Sequence, residues 1–170
     1  MRRMDLPFQL KFYRDKAADC RKVIGHTHKA DVTFGDVLQR TLAEETYADT
    51  YIWTPPCQAF SGAGKHKGIS DGRGALIGAG CKFMSRNRPK LAIMENVPGL
   101  ATKKHKRVLN GIIKSFKSMD YDVHTRILNS ADYSVPQSRR RVFLVAIRND
   151  SRRRVHLAKN PQAQRLWMQS

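Results

Sequence analysis

Strands alternating with helices predict an α/β fold with a mostly parallel sheet, and two observations carry that prediction. Short apolar runs rich in β-branched and aromatic residues recur along the chain: Val32-Thr33-Phe34, Tyr51-Ile52-Trp53, Leu91-Ala92-Ile93-Met94, Thr125-Arg126-Ile127-Leu128 and Val142 to Ile147. Between them lie stretches of helical composition. In such a sheet the functional groups collect outside the carboxyl ends of the strands, so the segments after Trp53 and Met94 are of first interest.

Taken in order, residues 15–24 read as a helix with Ala17, Cys20 and Ile24 on one side. Val32 to Phe34 is a short strand that stops at Gly35-Asp36, and Val37 to Glu45 reads as a short helix with Val37, Leu38 and Leu42 available for burial. Tyr51 to Trp53 is the next strand. Gly62 to Gly74, rich in Gly, Lys and His, describes a mobile basic loop. Ala75 to Met84 is apolar enough for a buried helix, broken by Arg88-Pro89-Lys90 before the strand Leu91 to Met94. Lys103 to Met119 places Val108, Ile112, Phe116 and Met119 at helical spacing with lysines opposite, an amphipathic helix with those four residues in the core. The last two strands flank a polar loop ending in Pro136-Gln137-Ser138-Arg139-Arg140-Arg141. Beyond Asn149 the pattern dissolves into a basic tail containing Arg152-Arg153-Arg154.

With 170 residues, 41% of them hydrophobic, one domain with a core is the default. The formal net charge of +18 points to a polyanionic partner, nucleic acid first, because neutralising phosphates releases counterions. No apolar stretch approaches the length of a membrane span, and the start lacks a signal-peptide core, so the chain is expected to be soluble and intracellular. Cys20, Cys57 and Cys81 are too widely spaced for a zinc site, and His26 and His28 stand without further ligands, so no metal is expected. Gly62-Ala63-Gly64-Lys65-His66 fits neither a G-x-G-x-x-G turn nor a P-loop.

The strand at Tyr51–Trp53 runs into Thr54-Pro55-Pro56-Cys57. Two prolines make that exit stiff and aim Cys57 above the sheet, with Lys65, His66 and Lys67 close enough in sequence to favour a thiolate. A buried structural cysteine is the alternative for Cys57 alone, as a salt-bridged carboxylate is for Glu95 and a solvated basic run for Arg139-Arg140-Arg141.

Taken together, Pro56-Cys57-Gln58-Ala59-Phe60-Ser61, Gly64-Lys65-x-Lys67-Gly68 with Asp71-x-Arg73-Gly74, Glu95-Asn96-Val97, and Pro136-Gln137-x-Arg139-x-Arg141 resemble the ordered signature blocks of the C5-cytosine DNA methyltransferases. The resemblance implies a Rossmann-like domain that uses S-adenosyl-L-methionine to methylate carbon 5 of cytosine in DNA. It implies Cys57 as the nucleophile toward carbon 6, Glu95 at ring nitrogen 3, Arg141 at the carbonyl oxygen and Arg139 beside it. By the same resemblance Asp15, Asp36, Val37, Pro56 and Leu76 line the cofactor pocket, and Ser61, Lys65 and Arg73 face DNA. Asn96 is expected to shape the turn that holds Glu95 and the Cys57 loop.

Residues 13–150 carry the resemblance, leaving 1–12 as a non-matching segment and 151–170 as the basic tail. The family's opening strand, with its F-x-G-x-G loop, and its target-recognition region have no counterpart here, so the sheet is expected to lack its first strand. A fragment of a longer product, one half of a split enzyme completed by another chain, and an inactive nucleic-acid-binding descendant all fit this pattern. An RNA cytosine-5 methyltransferase would share the same key residues. The compartment depends on the source: the nucleus in a eukaryote, the cytoplasm or nucleoid in a bacterium or virus.

Overall fold

The computed structural model of the chain describes residues 7–39, 46–56 and 72–151, with side chains from residue 75 onward in the last span. Six strands and three helices alternate along it: β1 (Leu10–Arg14), α1 (Ala18–Thr27), β2 (Ala30–Phe34), β3 (Thr50–Trp53), α2 (Gly72–Asn87), β4 (Leu91–Asn96), α3 (Lys106–Ser118), β5 (Tyr121–Asn129) and β6 (Arg140–Arg148). The fold is α/β, as the alternation predicts.

The strands form two sheets, a β1-β2 pair and a four-stranded sheet ordered β3-β4-β6-β5. β1 with β2 and β3 with β4 are parallel, each joined by a helix. β6 runs antiparallel to both β4 and β5, so β3, β4 and β5 point one way and β6 alone the other.

The core lies between the four-stranded sheet and the helices α2 and α3. Tyr51 and Trp53, Ala92 and Met94, and Val142, Leu144 and Ala146 occupy alternate positions on their strands and share the covered face. Phe83 and Met84 of α2 and Leu109, Ile112 and Phe116 of α3 close over them. Phe83 stacks on Tyr51 with ring centroids 4.2 Å apart, and Phe116 meets Trp53 at 6.2 Å. Burying one such ring is worth about 1.5–3 kcal/mol. Trp53 lies directly on Gly80 of α2, where a Cβ would fall 2.3 Å from the indole, so the helix packs this closely only because it has no side chain there.

Several elements depart from expectation. β1 lies in a stretch assigned no strand, because Lys11 and Arg14 interrupt the apolar run in Leu10-Lys11-Phe12-Tyr13-Arg14. α1 starts later and ends later than residues 15–24, and Ala17 and Cys20, expected on its inner side, are exposed; only Ile24 is half-buried. Of the helix expected at 37–45, Val37–Gln39 form a 3-10 turn and 40–45 lie outside the described residues. α2 begins at Gly72, inside the stretch expected as loop, and runs on to Asn87. In α3, Leu109 is more deeply buried than Val108, which sits at the edge of the apolar stripe.

Candidate functional site

β4 ends in Glu95 and Asn96, and strand alternation sends these neighbours to opposite faces. Asn96 turns into the core, where it is 1% exposed. Its Nδ2 donates to the Pro55 carbonyl at 3.1 Å, and its Oδ1 accepts from the Val97 backbone N–H at 2.9 Å. One buried amide therefore ties the exit of β4 to the proline corner that follows β3, two residues short of Cys57. This is the turn-shaping role expected of Asn96.

Glu95 lies on the other face, opposite Phe143 in the β4–β6 ladder. Because β6 runs backwards relative to β4, the residues preceding Phe143 approach the carboxyl end of β4, and Arg141 becomes the diagonal neighbour of Glu95. Arg141 Nε stands 2.9 Å from Glu95 Oε1, and Arg139 Nη2 stands 3.8 Å from the same oxygen. Arg141 Nη1 donates to the Arg140 carbonyl at 2.7 Å, which fixes the plane of the guanidinium. Glu95 and Arg141 are each 24% exposed, so the pair is reachable from above the sheet yet partly shielded from water.

The base of the loop before β6 is pinned as well. Ser130 Oγ donates to the Gln137 carbonyl at 2.5 Å and accepts from Arg139 N at 3.1 Å, and Ser130 N donates to the Arg139 carbonyl at 3.1 Å. Arg139 is thus held at the loop's root, although its side chain is half exposed at 52%.

The residues expected on the cofactor side follow β1, β2 and β3 in the chain or lie on α2. Asp15 follows β1, and its Oδ1 accepts from Ala17 N at 2.7 Å at the entry to α1. Asp36 follows β2; its Oδ1 accepts from Leu38 N at 2.9 Å and its Oδ2 lies 3.7 Å from Lys16 Nζ. Val37 is half-buried in the 3-10 turn, Pro56 is exposed beyond β3, and Leu76 is half-buried on α2. Sequence reasoning passed over Arg14, which joins these ends: Nη1 donates to the Asp36 carbonyl at 2.8 Å and its guanidinium lies 4.5 Å from the Phe34 ring centroid. A lone arginine at a strand end carries no signal that could have marked it.

Cys57, Ser61 and Lys65 lie outside the described residues, as does the side chain of Arg73, whose backbone belongs to the first turn of α2. Cys81 does not compete for the nucleophile's role. It packs against the core, and burial pushes its thiol up to about 11, which keeps it protonated at neutral pH. Among the described residues no helix is long and apolar enough to cross a membrane.

The chain resembles known methyltransferases in sequence and fold. The chain is 37% identical over 123 residues to the type II methyltransferase M.FnuDI of Fusobacterium nucleatum, a match covering 72% of the chain and 36% of that protein. It is 36% identical over 118 residues to the type II methyltransferase M.HhaI of Haemophilus parahaemolyticus, covering 68% of the chain and again 36% of the relative. The chain therefore spans little more than a third of the length of these relatives. Among solved structures, the S. pombe Dnmt2 methyltransferase superposes with a TM-score of 0.68 at 19% identity, over 95% of this chain and 52% of that one, which establishes the Rossmann-like methyltransferase fold. The model of the C-5 cytosine-specific DNA methylases matches residues 8–168, almost the whole sequence, and the chain belongs to that family.

Proposed function

We propose that this chain carries the catalytic residues of a DNA (cytosine-5)-methyltransferase, which transfers a methyl group from S-adenosyl-L-methionine to carbon 5 of a flipped-out cytosine. The observation that carries the reading is the Glu95–Arg141 pair at the end of β4, the strand that Asn96 ties to the corner leading to Cys57. Residues 13–150 form the catalytic segment. Relatives named as type II methyltransferases support the assignment, and because the chain spans 36% of them, the activity is proposed for the assembled protein.

Carbon 6 of a stacked cytosine is out of reach, so the base must first rotate out of the duplex. The Cys57 thiolate adds to carbon 6, and the electron pair of the carbon 5–carbon 6 bond shifts into the ring, which makes carbon 5 nucleophilic. Glu95 meets the charge that builds at nitrogen 3 and contacts the exocyclic amine. Arg141, with Nε on Glu95 and Nη1 on the Arg140 carbonyl, keeps Nη2 as the donor for the base carbonyl oxygen, with Arg139 alongside. Once carbon 5 carries the methyl group, a base such as water takes its proton, the electron pair re-forms the carbon 5–carbon 6 double bond, and the Cys57 thiolate leaves carbon 6.

The residues present fit the cofactor. Asp15 and Asp36 place two carboxylates at the adjacent carboxyl ends of β1 and β2, acceptors suited to ribose hydroxyls and an adenine amine, and Val37, Pro56 and Leu76 add apolar surface. S-adenosyl-L-methionine, when bound, supplies the sulfonium methyl group that carbon 5 takes up. Ser61, Lys65 and Arg73 contact the DNA, and the net charge of +18 supports that partner. A DNA substrate supports an intracellular location.

The test is transfer of a labelled methyl group to cytosine-containing DNA by the chain together with the part of M.FnuDI that lies outside the matched region. Incorporation is expected, and Cys57→Ala should abolish it. Incorporation that survives Cys57→Ala, or that occurs on transfer RNA and not on DNA, would overturn the reading.

A further inference from the structure

The outward face of α3 carries charge that the fold does not use. Lys106, Arg107, Lys114 and Lys117 are all exposed, and at about 100° per residue they fall within one arc of about 100°, turned away from the buried Leu109, Ile112 and Phe116. Lys103 and Lys104, also exposed, extend the stripe ahead of the helix. α3 contains no acid, and between Gly72 and Met119 the sequence has a single one, Glu95, whose side chain opens on the other face of the sheet against Arg141 and Arg139. Among the described residues none of the cations of this stripe has an ion pair. Lysines elsewhere do: Lys11 with Asp31 at 3.0 Å, Lys16 with Asp36 at 3.7 Å, Lys22 with Asp19 at 3.8 Å and Lys90 with Asp49 at 2.6 Å.

Such a face works against the helix that bears it. Lys106 and Arg107 occupy the first turn, the end where the helix dipole disfavours cations, and Lys114 and Lys117 are like charges three residues apart. Gly111, exposed beside the stripe, has nothing within 4 Å of where a Cβ would stand, so no neighbour demands a glycine that weakens the helix. Solubility alone is served better by glutamates and lysines in alternation. A stripe of one sign beside uncovered backbone fits a polyanion that approaches closely.

The course of α3 gives the stripe its direction. β4 and β5 point the same way, so the helix joining them runs back along the sheet. Lys103 and Lys104 follow the turn Pro98–Ala101 at the end of the sheet where β4 delivers Glu95, and Lys117 stands toward the far end. From Lys106 to Lys117 the helix covers about 17 Å, over which one strand of a duplex presents about five phosphates.

We propose that the outward face of α3 is a docking surface for duplex DNA, which it holds by the phosphates without reading bases, on the face of the domain away from the Glu95–Arg141 pair. DNA is held there whether or not a cytosine occupies the catalytic face. The choice of DNA over RNA rests on the methyltransferase reading; a phosphate-binding face on α3 does not.

The test is fluorescence anisotropy of the whole chain with a labelled dA·dT duplex, which offers no cytosine to the catalytic face. A variant combining Lys106→Gln, Lys114→Gln and Lys117→Gln is compared with a control that loses equal charge from the β1-α1-β2 unit through Lys11→Gln, Lys22→Gln and Lys29→Gln. Glutamine matches lysine in helix propensity, so melting of the α3 variant should hold or rise; a fall would mean that the fold uses these charges and would overturn the proposal. The α3 variant should bind about tenfold or more weakly, with the slope of log affinity against log salt reduced by about 2–3, and the control should lose about threefold or less. Arginine at the same α3 positions should restore binding. Equal losses in variant and control, unchanged binding by the α3 variant, or no rescue by arginine would each sink the idea. So would losses seen only with an RNA duplex, or only with vesicles of phosphatidylcholine and phosphatidylserine, while dA·dT binding persists. Methyl transfer by the assembled protein with dA·dT binding unchanged in the α3 variant would keep the methyltransferase reading and remove the docking surface; weakened dA·dT binding without methyl transfer would do the reverse.

Discussion

Tyr121 shows how one polar atom fastens the core. It is 2% exposed at the start of β5, and its hydroxyl donates to the Pro89 carbonyl at 2.7 Å, joining this strand to the turn before β4. Burial pushes the phenol up to about 12, against the opposing influence of Arg148 and Arg88. A group whose pKa is raised by folding contributes stability that is complete below its unfolded value of 10.0 and is lost as pH climbs toward about 12. Tyr121→Phe is expected to cost about 1–2 kcal/mol at neutral pH, by stranding a buried carbonyl, and to flatten the loss of stability above pH 10. Denaturant melts across that pH range would check both effects; a variant that keeps the wild-type alkaline slope would place its origin elsewhere. Residues of the site were legible in the sequence where motif order singled them out, as for Glu95, Asn96 and Arg141. Arg14 was not, because its role arises from the spatial meeting of two strand ends that the sequence holds 22 residues apart.

Elements follow the same logic. β4 and α3 were readable because their apolar residues repeat at the period of the structure they form. β1 was not, since a five-residue strand with two basic side chains has too little apolar signal. The reversal of β6 was likewise hidden: periodicity reports which face a residue occupies and carries nothing about strand direction. The packing of α2 on β3 depends on Gly80 and is sensitive to a single methyl group. Gly80→Ala would drive a Cβ into the Trp53 ring, itself wedged against Tyr51 and Phe116. We expect a loss of about 1–3 kcal/mol despite alanine's better helix propensity. A thermal melt at or above the wild-type temperature would show that α2 can shift outward at no cost.

For the molecule as a whole, the charge of +18 was plain from composition, and it makes a prediction independent of catalysis. DNA affinity should fall steeply with salt: even six phosphate contacts correspond to about a thousandfold loss between roughly 50 and 200 mM. Fluorescence anisotropy with a labelled duplex measures this directly, and a salt-insensitive interaction would mean that the basic surface is not the DNA-binding one. Composition carries nothing about how the two sheets meet, which they do side by side through Phe12, Tyr51 and Phe83.

The backward run of β6 also bears on how such a site can diversify. Glu95 sits where β4 leaves the sheet, and Arg141 where β6 enters it, so the segment overhanging them is the single connection between β5 and β6. Ser130, Gln137 and Arg139 clamp the root of that connection, while residues 131–138 are all exposed. Extra sequence could be spliced into the tip without moving the clamp. The chemistry would stay fixed as the overhanging surface changed, an arrangement open to rapid divergence in what the site will accept.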